Sequence, residues 1–153
     1  MFQALLIALG GAIGAVLRYL LSGWINNWIK ARYPSHPFPY GILVVNSLGC
    51  FIIGYVAAMY KEHPILNGFL TLEAQTILLT GVLGGFTTFS SFSLEALSLI
   101  HGKRPGFVML YILASATLGL LSVFIGYELV MIIDQLFGWG HPVAPKMLEL
   151  SNS

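Results

Sequence analysis

Between positions 80 and 93 the chain reads Thr80-Gly81-Val82-Leu83-Gly84-Gly85-Phe86-Thr87-Thr88-Phe89-Ser90-Ser91-Phe92-Ser93. Three glycines and six hydroxyls stand inside an otherwise oily run. Glycine weakens a helix, and Ser and Thr can bond their own backbone instead of continuing its ladder. A helix that breaks here frees carbonyl oxygens, and freed carbonyls among hydroxyls make a site for a hard cation such as sodium. An unbroken helix whose Gly and Ser simply pack closely is the competing reading. Phe86, Phe89 and Phe92 recur every third residue, so they drift slowly around one side of a helix. A phenyl ring has a positive edge. Such edges can meet an anion without the full charge that would trap it, although plain packing would use the same rings.

Other polar residues interrupt apolar runs. Asn46 needs hydrogen-bond partners in hydrocarbon, either as glue between helices or as an N–H donor facing an ion path. Cys50 and Gly54 follow it at steps of four, a stripe suited to helix contact. Tyr111, Ser115, Gly119, Ser122 and Gly126 share one helical face. Its glycines suit helix contact, and the hydroxyls of Tyr111 and Ser115 suit a pore. Gly10 and Gly14 form a Gly-x-x-x-Gly pair. Arg18 is expected roughly 23 Å along its helix, near the far interface, where its stem can snorkel. From there it could still draw anions into a vestibule.

The elements that must carry these residues follow from composition. Of 153 residues, 57% are hydrophobic and 8% charged, against about 25% charged in soluble domains. Too few charges remain to cover a water-soluble globule, and the class that fits is an all-α membrane protein. Four spans are expected, at about 2–29, 40–60, 72–100 and 106–133, in one domain covering 1–137, with a loosely ordered tail at 138–153. The first stretch exceeds a signal-peptide core and lacks a basic lead, so it reads as a span. The third would measure about 43 Å as one helix, longer than the hydrocarbon it must cross. Four spans put both termini on one side. Lys30, Arg32, Lys103 and Arg104 lie at one end, Lys61 and Lys146 at the other. That bias is weak by the positive-inside rule and allows insertion both ways.

The net charge of +1 gives no sign of nucleic-acid binding. The four histidines (36, 63, 101 and 141) fall in connections or the tail without metal-ligand spacing. Cys50 has no second cysteine to pair with. No nucleophile with a base, acid/base pair or phosphate loop is present, so no enzyme is expected.

Three segments together carry a resemblance: Gly11-Ala-Ile-Gly14-Ala15-Val-Leu-Arg18-Tyr19, Pro39-Tyr-Gly41-Ile-Leu43-Val-Val45-Asn46-Ser-Leu-Gly49, and Gly81-Val-Leu-Gly84-Gly85-Phe-Thr87-Thr88-Phe89-Ser90-Ser91-Phe92-Ser93-Leu-Glu95. The chain resembles the Fluc family of fluoride channels, also called CrcB. The third segment is highly specific in a four-span chain of this length. The resemblance implies a passive fluoride-selective channel that exports toxic fluoride across the inner (plasma) membrane. It implies a third helix broken at mid-membrane and a dual-topology homodimer of antiparallel subunits around a structural sodium ion. Gly84 and Thr87 would then offer sodium their backbone carbonyls. Phe89 and Phe92 would line the pores, and Asn46 would be a donor. Ser91, Glu95, Tyr111 and Ser115 would lie on a polar track, with Arg18 near a vestibule. Two positions depart from the family pattern. Ile42 stands where Thr is usual, and Gly119 where a track hydroxyl is often found. Some members pair dissimilar subunits, so a homodimer and a mixed pair both stay open.

Two other classes compete. A proton-coupled exporter of small molecules needs an ionisable group at mid-membrane, whereas Glu73, Glu95 and Glu128 lie near span ends. A non-transporting assembly subunit would use the small-residue stripes but leaves the Gly/Thr/Ser/Phe segment without a purpose.

Overall fold

The computed structural model describes residues 1–62 and 72–137. The expected tail, the connection carrying His63, and His141 and Lys146 lie outside them. The described residues form helices and no strand: α1 (Phe2–Arg32), α2 (Tyr40–Glu62), α3 (Leu72–Thr76), a π-helical stretch π1 (Ile77–Leu83), α4 (Gly84–Phe86), α5 (Phe89–His101) and α6 (Pro105–Phe137). Four stretches are long and apolar enough to cross a membrane: Phe2–Arg32, Tyr40–Lys61, Ala74–His101 and Pro105–Phe137. Their outer faces carry large exposed apolar side chains, among them Leu9, Ile13, Leu20, Leu113, Leu120 and Phe124. Apolar surface on that scale belongs against lipid. The protein is a multi-pass membrane protein.

Local sequence fixes the ends. Pro34 disfavours helical backbone at Tyr33, and Tyr33 leaves the helix at φ −136°, ψ 74°. Pro105 opens α6 at a position where its missing N–H costs nothing. The Gly41 N–H, unsatisfied within its own first turn, donates to Asn26 Oδ1 of α1 at 2.9 Å.

α2 packs most extensively on α6, and α1 packs on π1 and α4. The second contact is backbone against backbone. A methyl group on Gly14 would run into the Val82 carbonyl and lie 2.7 Å from the Phe86 nitrogen. On Gly85 it would strike Gly11. Only hydrogen fits between helices this close. We therefore expect Gly14→Ala to destabilise the protein by about 1–3 kcal/mol through overpacking, read as a lower melting temperature in detergent. A wild-type melting curve would refute this contact.

π1 has no counterpart in the sequence reading. Its closing bond runs from the Gly84 N–H to the Leu79 carbonyl five residues back. Regular helix then ends. Thr87 has φ −83°, ψ 152° and Thr88 φ −153°, ψ 126°, both extended, and α5 begins at Phe89.

α1 continues fourteen residues past Arg18 to Arg32, about 21 Å of helix, so Arg18 stands near the middle of α1, and its guanidinium reaches Ser91.

Candidate functional site

The two extended threonines are held by side chains from other elements. Asn46 of α2 accepts the Thr88 N–H on Oδ1 at 2.9 Å and donates from Nδ2 to the Thr88 carbonyl at 3.0 Å. This two-way bond fixes the amide orientation, because the N–H of Thr88 must face an oxygen. It also leaves Asn46 one N–H beyond those it gives Thr88. In a continuing helix the Thr88 N–H would have gone to the Gly84 carbonyl. The Ser91 N–H, which would have gone to Thr87, instead donates to Thr88 Oγ1 at 3.2 Å. Thr88 is thus the N-cap of α5. The Gly84 and Thr87 carbonyls are the two that lose these helical donors. Thr87 meanwhile turns its own N–H and Oγ1 back onto the Leu83 carbonyl, at 2.9 and 3.0 Å.

Ser91 extends the network to α1. Its Oγ accepts from Thr88 Oγ1 at 3.3 Å and from Arg18 Nη1 at 3.2 Å. Arg18 Nε is buried without a hydrogen-bond partner among the described residues. A chain of polar groups therefore runs Asn46–Thr88–Ser91–Arg18, joining α2, the threonine pair, α5 and α1.

A second chain is aromatic. The Phe89 and Phe92 centroids lie 5.5 Å apart at 40°. Phe92 lies 5.1 Å from Tyr111 at 33°. The Tyr111 ring is fully buried, edge-on to Phe38 at 5.6 Å. Its hydroxyl donates to Glu95 Oε2 at 2.7 Å. One turn along α6, Ser115 Oγ is buried with no hydrogen-bond partner among the described residues. Phe92 and Ser91 are neighbours on α5, so the two chains meet there.

The sequence-predicted residues thus fall into two connected groups, Asn46, Ser91 and Arg18 in one and Phe89, Phe92, Tyr111 and Glu95 in the other. Ser115 is near the second group but bonded to neither. Thr88, which bonds both Asn46 and Ser91, was not singled out. A hydroxyl residue directly before a helical run is the N-cap pattern that would have found it. Of the positions that depart from the family pattern, Ile42 is buried at 6% exposure. A β-carbon on Gly119 would lie 3.7 Å from Cys50 Sγ. Gly54 and Gly126 meet the opposite helix at the Val123 and Phe51 carbonyls, so those stripe glycines serve the α2–α6 contact. Among the described residues no group of three His, Cys, Asp or Glu could hold a metal.

The sequence profile of the family described as "CrcB-like protein, Camphor Resistance (CrcB)" matches residues 5–127. The chain belongs to the CrcB family. Three CrcB relatives are named fluoride-specific ion channel FluC. One, from Thermus thermophilus, is 46% identical over 125 residues, covering 82% of this chain and 91% of the relative. Another, from Rhizobium etli, is 44% identical over 126 residues, 82% and 94% of the two chains. A third, from Methylobacillus flagellatus, is 39% identical over 136 residues, 88% and 99%. The matched region of this CrcB chain, 5–127, contains both residue groups and the threonine pair and reaches into all four spans.

Proposed function

We propose that this chain is a passive fluoride-selective channel that lets fluoride leave the cell across the inner (plasma) membrane, lowering fluoride toxicity. The observation that carries the reading is a set of uncharged groups on neighbouring elements: the spare N–H of Asn46 against the Thr88 backbone, the Phe89–Phe92–Tyr111 ring series, and the buried Ser115 hydroxyl, which has no hydrogen-bond partner among the described residues. The names of the 39–46% identical relatives support it. Moving even a carboxylate-sized ion from water into a medium of ε near 4 costs on the order of 20 kcal/mol. Fluoride is smaller and more strongly hydrated, so a pore must replace its water with donors. Conduction also requires release. Neutral donors meet both demands better than a buried cation in the path. Arg18, tied to Ser91, acts from the side of that path as a source of positive potential.

The third span, read as a helix broken at mid-membrane, suits a structural sodium ion. Gly84 and Thr87 would hold it through the carbonyls whose helical donors Asn46 and Thr88 have taken. Sodium would supply charge neutralisation at the break. The working unit in this reading is a dual-topology homodimer of antiparallel copies. Phe89, 79% exposed in the single chain, supports it, because a pore-lining ring requires a wall on its far side.

The test is fluoride efflux from liposomes containing the purified full chain, read with a fluoride electrode beside a chloride control. Fast fluoride loss without chloride loss supports the channel. Fluoride flux that requires a pH gradient would instead favour a proton-coupled exporter. Replacing sodium with N-methylglucamine on both sides is expected to abolish fluoride flux and lower the melting temperature. Full flux without sodium would overturn the Gly84 and Thr87 assignment.

A further inference from the structure

Charge is unevenly divided between the two ends of the bundle. The end formed by the α1–α2 connection and the α5–α6 turn carries Lys30, Arg32, Lys103 and Arg104, all exposed. No Asp or Glu occurs between 24 and 40 or between 96 and 111. Apart from Glu95, every acidic residue lies in the sequence toward the opposite end or in the tail.

The two basic segments are packed together. The His36 ring lies 5.9 Å from Phe107, edge-on, and Phe38 lies 6.4 Å from Phe107. Phe107 in turn donates its N–H to the Arg104 carbonyl at 3.1 Å. At this end a cavity of about 330 Å³ opens between Trp28, Ile29, Tyr33, His36 and Tyr40. Trp28 and Tyr33 of its lining stand exposed, at 63% and 58%, as does Trp24, one helical turn before Trp28, at 67%. Amphipathic rings of this kind sit at the headgroup level of a bilayer.

Lys103 adds an independent observation. Its φ is 53°, in the left-handed region where side chains are strained. Its N–H donates to the Ile100 carbonyl at 2.9 Å, and that of Arg104 to the Leu99 carbonyl at 3.2 Å. This is the bond pair of a helix end whose left-handed residue is usually glycine. The chain does have a glycine here, but one residue earlier, at Gly102 with φ −71°, where its freedom is unused. A lysine thus stands where glycine would be more stable, next to a second cation and with no carboxylate in either segment.

We propose that this end binds the headgroup of an anionic phospholipid. Lys30, Arg32, Lys103 and Arg104 supply the charge for the phosphodiester. The Trp28–Tyr33–Tyr40 cavity receives the glycerol and the first methylenes. A phosphate at this depth, beside interfacial rings, comes from lipid, and basic pockets at span ends hold such headgroups.

The test uses the full chain carrying Trp139→Phe, so that Trp24 and Trp28 are the fluorophores. The protein is reconstituted in phosphatidylcholine vesicles containing an equal share of brominated phosphatidylglycerol or brominated phosphatidylcholine. Brominated phosphatidylglycerol is expected to quench with at least roughly fivefold higher relative affinity. The preference should vanish in Lys30→Gln/Arg32→Gln/Lys103→Gln/Arg104→Gln. Fluoride efflux, or a melting curve, reports that this variant is folded. Lys103→Gly removes the charge and relieves the left-handed backbone together, with an expected higher melting temperature and a weaker lipid preference. Equal quenching by the two lipids in the parent chain overturns the proposal. So does an undiminished preference in the four-fold variant. Loss of the preference in millimolar glycerol phosphate would assign the site to free phosphate esters and overturn the lipid assignment.

Discussion

Replacing Phe92 with isoleucine is expected to slow fluoride efflux by about a hundredfold while leaving the protein folded. Phe92 is half-buried between two rings, Phe89 at 5.5 Å and Tyr111 at 5.1 Å. Isoleucine is apolar and not much smaller, so the packing penalty should stay near about 1–2 kcal/mol. What it cannot supply is the positive ring edge. Loss of one preorganised electrostatic contact to a desolvated anion is worth about 3 kcal/mol, which is roughly a hundredfold in rate. Phe89→Ile is the companion measurement. Phe89 is 79% exposed in the single chain, so its replacement disturbs little packing within that chain. Efflux and melting temperature should be read on the same samples. Wild-type efflux in both folded variants would remove the rings from the ion path.

The architecture was legible because hydrophobic length is a one-dimensional property. Four apolar stretches separated by prolines and charges dictate four helices, and Pro34 and Pro105 mark ends directly. The Gly10 and Gly14 spacing also pointed to the α1 contact, since only small residues permit it. Partnerships were less legible. Nothing in the spacing shows that Asn46 reaches Thr88, forty-two residues away, or that Arg18 reaches Ser91, seventy-three away. The expected span already ran well past Arg18, but a count of residues along one helix cannot show that its guanidinium meets a serine on another span. π1 was invisible for another reason. A π-helix differs from an α-helix in hydrogen-bond register, and Ile77-Leu-Leu-Thr-Gly-Val-Leu83 has the composition of either.

The Asn46–Thr88 pair carries the second large effect. Asn46→Ala leaves the half-buried Thr88 N–H and carbonyl without their partner, and each orphaned group costs about 1–3 kcal/mol. The two together are therefore expected to cost about 2–6 kcal/mol, and fluoride efflux should be lost with the geometry. Thr88→Val is the contrast. It removes the Oγ1 that caps the Ser91 N–H but keeps the backbone pair with Asn46, at a cost of about 1 kcal/mol. Melting temperatures should therefore fall much further for Asn46→Ala than for Thr88→Val. Equal losses would mean that Asn46 does not hold the threonine backbone. Asn46→Asp separates holding from donation. A carboxylate still accepts the Thr88 N–H, but it cannot donate to the Thr88 carbonyl and presents negative charge where an anion must pass. The same carboxylate sets an oxygen against the Thr88 carbonyl oxygen and brings an unpaired charge into the span, so it is expected to conduct no better than alanine and to gain no stability over it. An Asp variant that conducts fluoride at the wild-type rate would show that the spare amide N–H never meets the ion. Asn46 would then be a positioning residue alone, with the donor row beginning at the Phe edges.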